Sequence, residues 1–436
     1  MKLTREFLFK IFITLSLAVG FVPNLGAIDK VATQWLFLNC LGVLFLLNIL
    51  FNRDINLIEI FKNRIFILLF FFLIWIAISI IYAINPAESL VVFSQYFSWL
   101  LLYVLFYFSL KSLNNQFFFI SGIITLFLII ETLMIVYPFL TSFSNEGIQY
   151  RSFLYLGAAA NINITAFSLL YKIPFLIYFK SKLKINSNFK TVLSTVIISL
   201  IFFEINTLLL TRSAILSCYI ISFIFIGLES YLRFKRRQSL NWIIIFTMSI
   251  LISNVLNSAI ANKYGSQFSS FARVNTITEN LSVDATEIKD GSISQRLRFY
   301  SQAINQIKSN PFIGIGIGNW KIKSIEADKN EIIGYRVPYH AHNDFLELTA
   351  ETGVIGVVLY LLIIFYSWYL IIKLFLKNIL KQFDPDQFVL SSVCSVFFIL
   401  FLIDSMLNFP MVRPIEIILF IITISFISLN RENNVV

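Results

Sequence analysis

Long apolar runs, broken by short polar or basic stretches, recur from one end of the chain to the other. They fall near residues 7–24, 33–51, 65–84, 89–110, 117–138, 160–179, 191–210, 213–232, 241–260, 353–376, 388–408 and 412–430. As helices, such runs match the length needed to cross about 30 Å of hydrocarbon. The pattern predicts an all-α, polytopic integral membrane protein with about twelve transmembrane helices. Lys2, Arg5 and Lys10 before the first run suggest a signal peptide. Phe21-Val-Pro-Asn is a poor small-residue cleavage site, however, and another run follows closely, so the first run is read as a retained helix.

One connection breaks the rhythm. Residues 262–344 are mostly polar and far longer than an ordinary loop. The chain thus divides into nine predicted spans in 1–261, a large loop in 262–344, and three spans in 345–436. Within the loop, Ile293, Leu297, Tyr300, Ile304 and Ile307 step at helical spacing and predict a helix with one apolar face, ended by Asn310-Pro311. The following PFIGIGIGNW carries Gly314, Gly316 and Gly318 in alternation. No strand-turn-helix unit surrounds it, so a dinucleotide reading is discarded; a tight turn or a close backbone approach to a ligand is what it supports.

Composition agrees with the pattern. Of 436 residues 58% are hydrophobic and 13% charged, and a mean hydropathy of +0.81 leaves an apolar excess that has to face lipid. The net charge of +10 reflects topology and not a nucleic-acid partner. With a cytoplasmic N-terminus, the inner connections hold Arg53, Lys62, Arg64, Lys111, the lysines at 180, 182, 184 and 190, Arg233 to Arg237, and Lys373, Lys377 and Lys381. The short outer ones hold Lys30, Arg151, Arg212 and Arg413. This places both termini in the cytoplasm and the large loop on the outer side. Cys40, Cys218 and Cys394 all lie in apolar runs and suggest neither a disulfide framework nor a metal site.

The chain has 2 histidines, and both fall in Tyr339-His340-Ala341-His342-Asn343-Asp344, at the edge of a predicted span. They are candidates for proton transfer near neutral pH, or else a polar lip on a helix. A metal site at His340, His342 and Asp344 is set aside, because no third histidine exists to complete a zinc set. Asp344, Glu347 and Glu351 step along one helix, an arrangement better suited to offsetting the helix dipole than to a glycosidase carboxylate pair. Arg212 interrupts an apolar stretch and either snorkels to the interface or is paired. Arg296 and Arg298 lie on the loop helix, where arginines are ordinarily solvated. An arginine cluster beside a histidine suits an anionic substrate, because a guanidinium grips phosphate oxygens in a fork. Glu131, Lys172, Glu204, Asp404 and Glu416 lie within apolar runs, as interhelical pairs or as lining of a pathway.

His342-Asn343, nine residues, Gly353, two residues and Gly356 resemble the signature of the O-antigen ligase and O-antigen polymerase superfamily. SQRLRFYSQAINQIKSNPFIGIGIGN is similar to that family's arginine-bearing loop helix, and Thr211-Arg212-Ser213 to the arginine motif after its seventh span. The segments occur in family order. The resemblance implies a glycosyltransferase of the GT-C-like, lipid-carrier-dependent type in a bacterial inner membrane, with its active site on the periplasmic side. Such an enzyme moves a glycan from undecaprenyl diphosphate to lipid A-core (a ligase) or to another glycan (a polymerase), with membrane lipid around it and no cofactor. Residue by residue, His342 matches the catalytic histidine, and Arg212 and Arg296 match the arginines that hold the diphosphate. His340, Asn343, Arg298 and Arg336 are candidates for supporting roles. A polysaccharide or lipid transporter also has many spans, but would be expected to show internal repeats.

Overall fold

The computed structural model describes residues 2–27, 30–51, 57–113, 115–146, 153–159, 161–236, 241–281, 291–330, 339–380 and 383–432. All regular structure among them is helical. The helices are α1 Lys2–Leu17, α2 Lys30–Phe51, α3 Arg64–Ser79, α4 Pro86–Ser112, α5 Gln116–Glu146, α6 Ile162–Lys182, α7 Ser187–Phe203, α8 Arg212–Arg236, α9 Asn241–Tyr264, α10 Ser270–Leu281, α11 Gly291–Ser309, α12 Trp320–Asp328, α13 Asp344–Leu380, α14 Pro385–Leu407 and α15 Pro414–Glu432. Every apolar run read from the sequence coincides with one of them. Among the described residues, 8 helices are long and apolar enough to cross a membrane (α2, α4 to α8, α13 and α14), and α3 and α15 are shorter apolar helices. The protein is a polytopic membrane protein.

Asparagine writes many of the helix starts. Asn63, Asn85, Asn161 and Asn186 each accept two backbone N–H bonds in the first turn of α3, α4, α6 and α7. These donors would otherwise be orphaned at a helix N-terminus, which in a membrane protein is costly.

The chain forms two compact units. The first contains Met1–Asn114, Asp284–Leu370 and Phe401–Val436. Helix α4 runs through its core, with Trp99, Tyr103 and Tyr107 almost fully buried. The Tyr103 hydroxyl lies 2.8 Å from Asn63 Oδ1 and 3.0 Å from Ser428 Oγ, joining α4 to the start of α3 and to α15.

The glycine-rich turn after α11 is the joint of this unit. Gly353 breaks α13 with φ +68 and ψ −174, a conformation open to glycine and strained for other residues. The break frees backbone groups, and four of them find partners in neighbouring segments. Ile315 N–H donates to Ala350 O, Gly316 N–H to Glu351 O at 2.8 Å, the Trp75 indole to Thr352 O at 2.9 Å, and Val354 N–H to Pro311 O at 2.8 Å. A Cβ on Gly314 would lie 2.4 Å from the Glu351 carbonyl, one on Gly316 2.4 Å from Ala83, and one on Gly318 2.7 Å from Val92. The alternating glycines therefore serve close backbone packing against α13 and the α3–α4 corner. Ser89 and Asn319 complete the seam: Ser89 Oγ donates to Ile317 O, and Asn85 N–H donates to Asn319 Oδ1 at 2.7 Å.

The loop helix forms as expected, as α11, and ends before Asn310-Pro311. Its buried face needs correction. Phe299 and Ala303 turn inward onto Trp320, Ala341 and Ala350, and Ile307 packs against them as expected, whereas Leu297 and Ile304, expected on the same apolar face, are 39% and 41% exposed. The Phe299–Ala303 pair also steps at helical spacing, and the hydrophobic partners on α12 and α13 select it.

The second unit contains Asn115–Val283 and Ile371–Leu400. Here α5 packs on α6, and Lys172 Nζ lies 2.6 Å from Glu131 Oε2 and 2.6 Å from Ser168 Oγ, all buried. The sequence left those two charges unassigned; they form an interhelical pair. Helix α7 continues as a π-turn, Glu204–Leu209, and ends at left-handed Leu210 (φ 48) just before Arg212. Asn257 braces this turn, donating to Asn206 O at 2.9 Å and to Phe268 O at 2.8 Å while accepting from Ser270 N–H.

Candidate functional site

The first unit gathers several polar and aromatic side chains at the start of α13. Asn343 caps that helix by accepting from Leu346 N–H at 3.0 Å. The preceding residues are held by Glu347, one turn into the helix: its Oε2 accepts the Ala341 N–H at 2.6 Å, and its Oε1 lies 2.9 Å from His340 Nδ1. Asp344, buried, accepts the Met411 N–H at 3.2 Å and ties the start of α13 to the α14–α15 connection.

His342 occupies the left-handed region, with φ +57. A non-glycine residue there costs on the order of 1–3 kcal/mol, and such residues cluster at functional sites. Its ring lies parallel to Phe299, centroids 6.4 Å apart, and edge-on to Phe409 at 5.1 Å. The Tyr300 hydroxyl donates to the His342 carbonyl at 3.1 Å. The imidazole Nδ1 is buried and has no hydrogen-bond partner among the described residues.

Charge around this ring is positive. Burial first, then Arg296, His340 and Arg413, push the His342 pKa down from 6.5 to about 3. Near neutral pH the ring is an uncharged base. Arg296 donates to Asn408 Oδ1 at 3.4 Å, and Asn408 donates in turn to Asp404 Oδ1 at 2.6 Å. Arg413, 2% exposed, lies 3.6 Å from Asp404 Oδ2 and stacks over the Phe409 ring at 4.3 Å. His340 stacks on the same Phe409 ring at 4.4 Å. Beside His340, a cavity of about 50 Å³ is bounded by Tyr96, Lys321, Asp344, Glu347 and Glu351.

Of the residues singled out in the sequence, His340, His342, Asn343 and Arg296 come together here. Arg298 turns elsewhere: its Nη2 lies 3.0 Å from Asp328 Oδ2, an ion pair between α11 and α12. Arg336 lies outside the described residues. Arg212 belongs to the second unit, where its Nε donates to Arg273 O at 3.1 Å and the adjoining Thr211 hydroxyl meets Asn163 Oδ1 at 3.1 Å. The sequence reading missed Phe409 and the Asp404–Asn408 pair. It counted Arg413 only as an outer-loop charge. The available signal was FPMVRP, an arginine between two prolines after an apolar run that contains an aspartate.

Residues 193–361 match the family model described as O-antigen ligase. Over 115 residues the chain is 29% identical to the exopolysaccharide production protein ExoQ of Rhizobium meliloti, covering 26% of each chain. It is 26% identical over 327 residues to a Rickettsia typhi protein whose name is that of a polysaccharide ligase, covering 70% of this chain and 68% of the relative. A similarly named protein of Rickettsia prowazekii is 26% identical over 317 residues, 65% of its length. A polytopic helical membrane protein with this histidine–arginine site is the class the fold defines. Its similarity to the O-antigen ligase family is carried by residues 193–361, which hold Arg212, Arg296 and His342.

Proposed function

We propose that the protein transfers a glycan from undecaprenyl diphosphate to an acceptor hydroxyl, with lipid A-core as the acceptor, at the periplasmic face of the bacterial inner membrane. The observation that carries this reading is His342, held uncharged between two aromatic rings with an unpartnered Nδ1 and with Arg296 beside it. A neutral imidazole offers a lone pair to the proton of an attacking hydroxyl, and the negative charge of a bound diphosphate offsets the cations that otherwise make this ring a weak base. The hydroxyl oxygen bonds to the anomeric carbon, and the bond from that carbon to the diphosphate oxygen breaks. Direct displacement inverts the anomeric centre. Negative charge grows on the departing diphosphate, and guanidinium groups, not a metal, take it up. Arg296 fills that role beside His342, and Arg212 is assigned to it by the family motif that Thr211-Arg212-Ser213 matches. His340 and Asn343 hold His342 in place.

A second reading is a polymerase, in which the acceptor is another glycan. The similarity to a protein named for exopolysaccharide production favours keeping it in view. Both readings are tested in membranes supplied with an undecaprenyl-diphosphate-linked oligosaccharide and lipid A-core, comparing wild type with His342→Ala and Arg212→Ala. Attachment to lipid A-core that collapses in both variants, with both still inserted and folded, supports the ligase. Chain extension without attachment supports the polymerase. Full activity in His342→Ala removes the proposed base.

A further inference from the structure

A cavity of about 150 Å³ lies in the second unit. Helices α6 and α8 both start beside the Asn163–Thr211 hydrogen bond, and both reach the cavity near their other ends, through Lys180 and Arg233. About 20 helical residues separate it from Arg212, or about 30 Å, the thickness of a bilayer's hydrocarbon core. The cavity and Arg212 thus occupy opposite membrane faces.

Its lining has two characters. Lys180, Lys190 and Arg233 contribute three cations and Glu229 one carboxylate, which leaves two positive charges. Glu229 Oε1 lies 2.8 Å from Arg233 Nε, which fixes the guanidinium, and Lys190 Nζ donates to Leu183 O at 2.9 Å. The rest of the wall mixes apolar side chains, among them Phe225, Leu232 and Phe388, with the hydroxyls of Ser181, Thr191 and the buried Ser392. A soluble anion would need only the cations. Cations and hydroxyls that can hold a phosphate, next to apolar side chains at the level where helices leave the hydrocarbon, match a molecule whose head is anionic and whose tail is not.

We propose that this cavity binds the phosphate headgroup of an anionic phospholipid. In the orientation given under Proposed function it opens to the cytoplasmic leaflet, where basic pockets between spanning helices meet anionic lipid. The headgroup contacts use none of the residues placed in the transfer reaction; only the choice of leaflet rests on that reading.

The test uses the full-length protein in nanodiscs of phosphatidylcholine containing cardiolipin, followed by detergent washing and native mass spectrometry of the lipid retained. Wild type should keep cardiolipin after phosphatidylcholine is washed away. Lys180→Gln and Lys190→Gln should each lower that retention about fivefold, the scale of one basic residue at a membrane surface. Lys235→Gln, an exposed lysine on α8 outside the cavity, should leave it unchanged. Ser392→Leu keeps every charge and fills the cavity, and it should also release the lipid; its thermal unfolding, compared with wild type, shows that it has folded. Equal retention of both lipids overturns the proposal. So does a loss in Lys235→Gln as large as in Lys190→Gln, retention in folded Ser392→Leu, or displacement of cardiolipin by millimolar inorganic phosphate, which would mark a soluble-anion site.

Discussion

His340 and Glu347 meet at 2.9 Å across the first turn of α13, and the second oxygen of the same carboxylate takes the Ala341 N–H at 2.6 Å. One side chain thereby fixes the two residues that precede the strained His342. Removing it releases both contacts, and a hydrogen bond to a charged group contributes about 1.5–3 kcal/mol. Glu347→Ala should lower glycan transfer about tenfold or more, while Glu347→Gln, which keeps an acceptor for Ala341, should lose less. Initial rates in membranes with matched protein levels decide this. Equal rates for Glu347→Ala and wild type would refute the positioning role.

The depressed pKa of His342 makes a pH prediction. Its value falls from 6.5 to about 3 on folding, so the ring stays neutral where a free histidine is charged. The unfolded chain takes up a proton as pH falls below about 6.5, and the folded chain refuses it until about 3. Stability tied to this group is full above about pH 6.5 and is lost progressively down to about 3. The acid limb of transfer attributable to free-enzyme His342 should likewise lie well below 6.5. Arg296→Gln removes the cation that acts most strongly on the ring and should move that limb upward. A midpoint unmoved in Arg296→Gln and still near 6.5 in wild type would contradict the electrostatic account.

Gly353 should tolerate no side chain. A Cβ there would lie 2.1 Å from the Phe312 carbonyl oxygen, with φ already at +68. Gly353→Ala is expected to destabilise by more than about 1–3 kcal/mol, since strain and collision add. Gly227, on α8, has no atom within 4 Å of an added Cβ, and Gly227→Ala should unfold at the wild-type temperature or above. Thermal unfolding of the two variants side by side in detergent is the measurement. A Gly353→Ala transition equal to that of Gly227→Ala would contradict the packing.

The buried Lys172–Glu131 pair gives a double-variant prediction. Side-chain exposures of 1% and 5% mean that either residue alone would remain as a charge out of water. Glu131→Ala should cost about 3–5 kcal/mol, while replacing both residues with apolar ones of similar volume, Glu131→Leu with Lys172→Met, should be near neutral. A double variant as unstable as the single one would show that the pair does more than neutralise itself.

Much of this protein is legible without a structure. The apolar runs locate the helices because backbone groups in hydrocarbon must bond within their own segment, and asparagines mark several helix starts because their side chains accept the orphaned N–H groups. The loop helix and its end at Asn310-Pro311, the two histidines, Arg296 and the glycine turn are equally visible in the chain. Which side of a helix meets protein was not visible. In the spans, lipid and protein interior both accept apolar side chains, so periodicity loses its phase; in the loop helix two apolar sets share the helical spacing, and the partners Trp320 and Ala350 select Phe299 and Ala303 over Leu297 and Ile304. Pairings such as Glu131 with Lys172, or Arg413 with Asp404 and Phe409, depend on helix rotation and on the α14–α15 turn. The neutrality of His342 depends on them too, because charges distant in sequence act on one ring only after the fold has brought them beside it.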